Sequence, residues 1–192
     1  MDNPVTIVLI GPVCAGKSTV GKVLAEQLGI PQVELDELRW DYYKEIGYDT
    51  VMAKEIADTE GMIALLRYWK PYEAYAVERV IATHSNCVID FGAGHSVYED
   101  DALFERVQAA LAPNPYVVLI MPSPDLEASI AILNARFEQL LQHEVGTVSP
   151  ELLSLNEHFV KHPSNHKLGK IVVYTQGKTP EETAREIIEK LG

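Results

Sequence analysis

Cysteine is nearly absent: Cys14 and Cys87 are the two in 192 residues, so no disulfide framework is expected and a reducing, cytoplasmic setting fits. No apolar stretch approaches the roughly 20 residues of a membrane-spanning helix. The start, MDNPVTIVLI, is acidic and carries only a short apolar run, unlike a signal peptide. Positive charge is also scarce, with 16 Lys and Arg against 28 Asp and Glu and a formal charge of -12. Nucleic acid and anionic membrane would be repelled by that mean field, so neither is expected as a partner. Any polyphosphate ligand must find a local positive site. There are no internal repeats and no low-complexity segments.

What is present is an ordinary globular composition, 47% hydrophobic and 23% charged, over a length that suits one domain spanning 1–192. VTIVLI from Val5 to Ile10 is a short apolar run ending at Gly11, the pattern of a strand buried on both faces. Val20, Val23, Leu24, Ala25 and Leu28 then recur at helical spacing up to Gly29. Further strands are expected at Gln32 to Leu35, Cys87 to Ile89, Tyr116 to Met121 and KIVVYT. Helices are expected over Glu37 to Tyr48, Val51 to His84, Asp101 to Leu111, from Ser123 (cap) and Pro124 to about His143, and after the capping box at Thr179 to Glu182. Five strands alternating with helices predict an α/β three-layer sandwich, a parallel sheet with helices on both faces. Ligands of such sheets bind beyond the carboxyl ends of the strands. Gly11, Asp36, Asp90, Pro122 and Gln176 all fall there.

GPVCAGKS, Gly11 to Ser18, matches the Walker A pattern between a buried strand and an amphipathic helix, the context that gives the motif its meaning. Gly11 and Gly16 free the backbone to turn its amides inward, and the helix start adds its positive end. Gly11, Cys14, Ala15, Gly16, Lys17, Ser18 and Thr19 are therefore the expected nucleotide cradle, Lys17 reaching the outer phosphates and Ser18 ligating Mg²⁺. Cys14 is either a redox-sensitive thiol or filler at a variable position. Asp90 ends the run Val88, Ile89 in a Walker B arrangement, delivering a carboxylate to Mg²⁺ or simply closing a strand. No Asn-Lys-x-Asp stretch specifies guanine, and neither a transporter-type signature nor a helicase motif set is present, so a P-loop NTPase fold outside those classes is expected.

These motifs in this order resemble the shikimate kinase family of small P-loop kinases over nearly the whole chain. GPVCAGKSTVGKVLAEQLG is similar to its opening loop and helix. Glu34 and Asp36 fall on its Asp-x-Asp pair, Gly92, Ala93 and Gly94 on its triple-glycine turn, and IVVYTQGKTPEETAREII on its last strand, adenine-side loop and helix. Lys70 stands where the family carries the arginine of Arg-x-x-Glu, with Glu73 as the acid.

The resemblance implies ATP and Mg²⁺ as cosubstrate and cofactor, and transfer of the γ-phosphoryl group to a metabolite hydroxyl. It makes Asp36 the group that orients or deprotonates the acceptor, though an Asp there also caps helices. Arg136 is expected over the nucleotide and Gln176 beside the adenine. Lys70, Gly92, Ala93 and Gly94 are expected at the acceptor, and Glu34 acts on Mg²⁺ through water. Asp90 is a feature in which the chain is closer to nucleoside monophosphate kinases.

Residues 142–167, polar and broken by Pro150 and Pro163, read as a mobile lid. Their histidines, His143, His158, His162 and His166, read as solvated or phosphate-contacting side chains ahead of zinc ligands, although His158 and His162 have helical spacing. The aromatic residues between Trp40 and Tyr75 either pack a core or wall the acceptor pocket. A nucleoside or nucleotide kinase, and a nucleotide-binding regulatory module without transfer, remain as alternatives. The protein is expected as a monomer or homodimer.

Overall fold

β1, Ile7–Ile10, is buried along its whole length, as a run of branched apolar side chains with no polar face must be. It lies at the centre of a five-stranded sheet of order β2-β3-β1-β4-β5, in which every pairing is parallel. The partners are β2 (Gln32–Glu34), β3 (Val88–Asp90), β4 (Val117–Met121) and β5 (Ile171–Tyr174). The computed structural model describes residues 5–144 and 150–192. Among them no helix is long and apolar enough to cross a membrane.

Each crossover carries helix: α1 (Lys17–Leu28), then α2 (Leu35–Glu45), α3 (Thr50–Thr59) and α4 (Met62–Thr83). After β3 come a 3₁₀ turn (Ala93–Ser96) and α5 (Asp101–Leu111), and after β4 come α6 (Leu126–Glu144), α7 (Pro150–Lys161) and α8 (Pro163–Leu168). α9 (Pro180–Leu191) ends the chain and packs on α1. The register sets the rim: Glu34 pairs with Asp90, and Asp90 with Leu9, so carboxylates of neighbouring strands emerge side by side.

Three helical expectations change. Val51 to His84 is two helices, because Gly61 at φ 85° breaks it and donates its N–H back to Ile56. α6 is capped by Asp125, which accepts from Glu127 and Ala128 N–H, while Ser123 only turns the chain before it. The segment 142–167 carries α7 and most of α8, with Phe159 and Val160 buried, and its residues 145–149 lie outside the described residues. Pro150 and Pro163, taken as breaks, are helix-starting residues, where the missing N–H costs nothing.

The aromatic residues of α2 to α4 pack on one another: Trp40, Tyr43, Tyr48, Trp69 and Tyr72 meet with centroids 5.2 to 5.7 Å apart. Their polar tips pair internally, Trp69 Nε1 donating to Tyr48 Oη at 2.9 Å. This is core packing beneath the rim.

Candidate active site

The loop from Gly11 to Gly16 is bent by backbone conformations that side chains disfavour. Gly11 has φ 143° and Gly16 φ 93°, and Cys14 is left-handed at φ 59°. A Cβ on Gly11 would run into the carbonyl of Ile120, so β4 passes too close for any other residue. Gly16 caps α1 without a side chain, which leaves the first-turn amides of the helix unpaired and pointing at the rim.

Lys17 is buried there. Its Nζ donates to the carbonyls of Gly11 (2.9 Å) and Pro12 (2.8 Å), folding the ammonium over the loop. Burial pulls its pKa down to about 8, against the attraction of Asp36, Asp90 and Cys14. Burial also raises the Cys14 thiol, more than Lys17 and Arg136 lower it, which favours filler over a reactive thiolate. Arg136 on α6 reaches the same loop, its Nη1 donating to the Cys14 carbonyl at 3.2 Å. Gln176 follows β5, its N–H bonded to Pro122 at 2.9 Å beyond the end of β4.

Ser18 Oγ donates to Asp90 Oδ1 at 3.0 Å, joining the start of α1 to the end of β3. Gln32 Nε2 donates to Asp90 Oδ2 (2.6 Å) and to the Ser18 carbonyl (3.0 Å). Gln32 escaped the sequence reading; its signal is that it shares a face of β2 with Glu34. Burial raises the pKa of Asp90 despite the bonds from Gln32 and Ser18. Glu34 is raised as well, by burial and then by the charges of Asp90, Glu37 and Asp36. Carboxylates crowded beside a hydroxyl, with oxygen the only donor atom, suit a hard divalent cation such as Mg²⁺.

Asp36 sits in the first turn of α2 and makes no capping bond; Glu34 occupies the cap position. Its carboxylate lies against Gly92, where a Cβ would collide with it. Arg39 Nη1 donates to Asp36 Oδ1 at 3.1 Å, and His95 Nδ1 stands 3.9 Å from the same oxygen. His95 is fully buried and neither ring nitrogen has a partner, another feature the sequence reading passed over. Gly94 is fixed in the same way as Gly92, its missing Cβ leaving room for Glu73. Ala93 begins the 3₁₀ turn between them.

Lys70 is committed elsewhere. Its Nζ donates to Glu73 Oε2 (2.7 Å), Gly94 O (2.9 Å) and Val97 O (2.9 Å). An ammonium has three N–H bonds, and all are used. These bonds tie α4 to the 3₁₀ turn beside Asp36.

The site has clear relatives. A model of the shikimate kinase family matches residues 13–192. The shikimate kinase of Streptomyces coelicolor is 30% identical over 190 residues, covering 95% of this chain and 93% of that protein. That of Hahella chejuensis is 26% identical over 188 residues, 96% of this chain and 85% of that one. Among solved structures, a shikimate kinase from Acinetobacter baumannii in complex with shikimate superposes with a TM-score of 0.66 at 19% identity, covering 99% and 93% of the two chains. A gluconokinase from Sinorhizobium meliloti superposes with a TM-score of 0.55 at 16% identity over 98% and 91%. These two likenesses are of fold.

Proposed function

Because the chain belongs to the shikimate kinase family and is an ATP-dependent small-molecule kinase, we propose that its acceptor is a hydroxyl of a small metabolite seated between Asp36 and the Gly92–Gly94 turn. The observation that carries this is the contact of Asp36 with Gly92, on the same rim as the Ser18–Asp90 pair. Shikimate is the reference acceptor for the test.

The first-turn amides of α1 and the loop amides receive the phosphates, and Lys17 exchanges the carbonyls of Gly11 and Pro12 for phosphate oxygens. Arg136 adds its charge from above the loop. Ser18 and Asp90 would hold Mg²⁺, with Glu34 behind them, and the ion would neutralise phosphate charge. The acceptor hydroxyl oxygen attacks the γ-phosphorus in line as the bond to the β–γ bridging oxygen breaks and ADP departs. Asp36 takes the hydroxyl proton. Lys70 contributes by fixing the turn, and the whole chain acts as a single kinase unit.

An ADP-release screen with ATP and Mg²⁺ across shikimate, sugars, nucleosides and nucleoside monophosphates tests this. Release should depend on a hydroxylated metabolite and vanish in Lys17→Ala. A response confined to nucleoside monophosphates would replace the reading with a nucleotide kinase, and nucleotide binding without any acceptor response would replace it with a regulatory module.

A further inference from the structure

Phosphoryl transfer makes no use of the three side chains that meet where α7 ends above the entry to α5. His158 and His162 are four residues apart, and the N–H of His162 still bonds to the carbonyl of His158 at 2.9 Å, so the helical turn runs through both. Their rings lie on one face with centroids 5.1 Å apart. Glu99 reaches in from the segment before α5, its Oε1 2.7 Å from His158 Nε2. One ligand atom from each of the three lies within 4.8 Å of the others.

From this cluster we propose that Glu99, His158 and His162 form a binding site for a divalent transition-metal ion of the zinc type, tying α7 to the start of α5. Two imidazoles four residues apart plus a carboxylate from another element are a known donor set for tetrahedral zinc, with the fourth position open. Metal–ligand bonds of about 2.1 Å put tetrahedral ligand atoms roughly 3.4 Å apart. The Glu99–His158 contact opens by less than an ångström to reach this, and His162, within 4.8 Å of both, closes by at most about 1.4 Å. The side chains of His158 and Glu99 are 42% and 54% exposed and free to make the shift. The third ligand explains why the site is invisible in the sequence: the histidines are paired by helix geometry, but Glu99 is 59 positions from His158.

The donor set also selects the ion. Imidazole nitrogen is a poor ligand for Mg²⁺, which keeps its oxygen donors at Ser18 and Asp90, so the two sites do not compete. Position 159, where a zinc peptidase helix carries its general base, is the buried Phe159. The site therefore holds an ion without hydrolytic machinery. Glu99 and His158 also line a cavity of about 950 Å³, together with Leu66, Leu103 and Phe159.

Metal binding has one local cost. His162 Nδ1 accepts from the Ser164 N–H at 3.3 Å and so caps α8. Whichever ring nitrogen takes the ion, Nδ1 then has no lone pair to spare, being metal-bound or protonated. Loading should slow exchange across the end of α7 while the Ser164 amide exchanges faster.

The full chain, stripped of metal and kept in millimolar Mg²⁺, is titrated with Zn²⁺ against a chromogenic chelator. One equivalent should bind, and His158→Gln, which keeps a donor towards Glu99, and His162→Ala should each weaken it roughly 100-fold or more, beyond the loss from removing a ligand's own hydrogen-bond partner. Circular dichroism and acceptor-dependent ADP release, both unchanged in His158→Gln, exclude a folding defect. No uptake by the natural chain overturns the proposal. So does uptake that survives His158→Gln and His162→Ala, which would place the ion at Cys14 or at other histidines.

Discussion

Ser18 and Asp90, 72 positions apart, are joined by a 3.0 Å hydrogen bond between the first turn of α1 and the last residue of β3. The bond places a hydroxyl and a carboxylate together at the mouth of the P-loop, and burial makes the carboxylate costly. Asp90→Asn keeps the shape and removes the charge. Its kcat should fall about 100-fold or more, with a higher Mg²⁺ requirement, while its Tm holds or rises. A normal kcat at ordinary Mg²⁺ would remove Asp90 from the metal site.

Lys17 sets a pH limit. With its pKa about 8 in the free protein, the ammonium is charged below pH 8 and binding there needs no proton. Above it, a triphosphate that binds the charged form must take a proton up, so apparent affinity should fall about tenfold per pH unit. The same depressed pKa means the unfolded chain holds more protons above pH 8, so the free protein should gain stability as pH rises from there towards the ordinary lysine value. Calorimetry in two buffers of different ionisation enthalpy reads the proton uptake; none at pH 9 contradicts the account.

Lys70 and Glu73 form a buried pair, their side chains 13% and 3% exposed. Lys70→Met strands the Glu73 carboxylate and should cost about 3–5 kcal/mol in urea unfolding. Adding Glu73→Leu should recover much of the loss. If Lys70→Met instead raised only the acceptor KM, leaving stability intact, the lysine would be an acceptor contact after all.

Asp36 and Gly92 should be separable by kinetics. Asp36→Asn removes the proposed proton acceptor, and kcat should drop by about 10²–10⁴ with ATP affinity unchanged. Gly92→Ala pushes a methyl group into the Asp36 carboxylate and should lower kcat and acceptor affinity together. Equal damage to ATP binding in either variant would show a wider collapse of the rim.

The phosphate loop was legible because its determinants are contiguous. Gly11 to Ser18 encodes its own turn, and β1 and β4 are apolar runs with few alternatives. The acceptor half is assembled from α2, α4 and the 3₁₀ turn, and only the family resemblance brought those residues together. The bonds of Lys70 to Glu73 and two carbonyls were not legible, because the count of acceptors around an ammonium is a property of the folded chain. His95 was passed over because its burial appears only in the folded chain, and Gln32 despite its spacing from Glu34. Pro150 and Pro163 misled because a proline ends one helix or begins the next, and only the apolar face formed by Phe159 and Val160 decides which.

The position of β1 between β3 and β4 reaches beyond the site. The strand made first needs partners at residues 88–90 and 117–121, and short-range pairing cannot satisfy it. A ribosome must carry synthesis from β1 on through β4 before the sheet can form around its own centre, so the phosphate loop waits for strands made long after it.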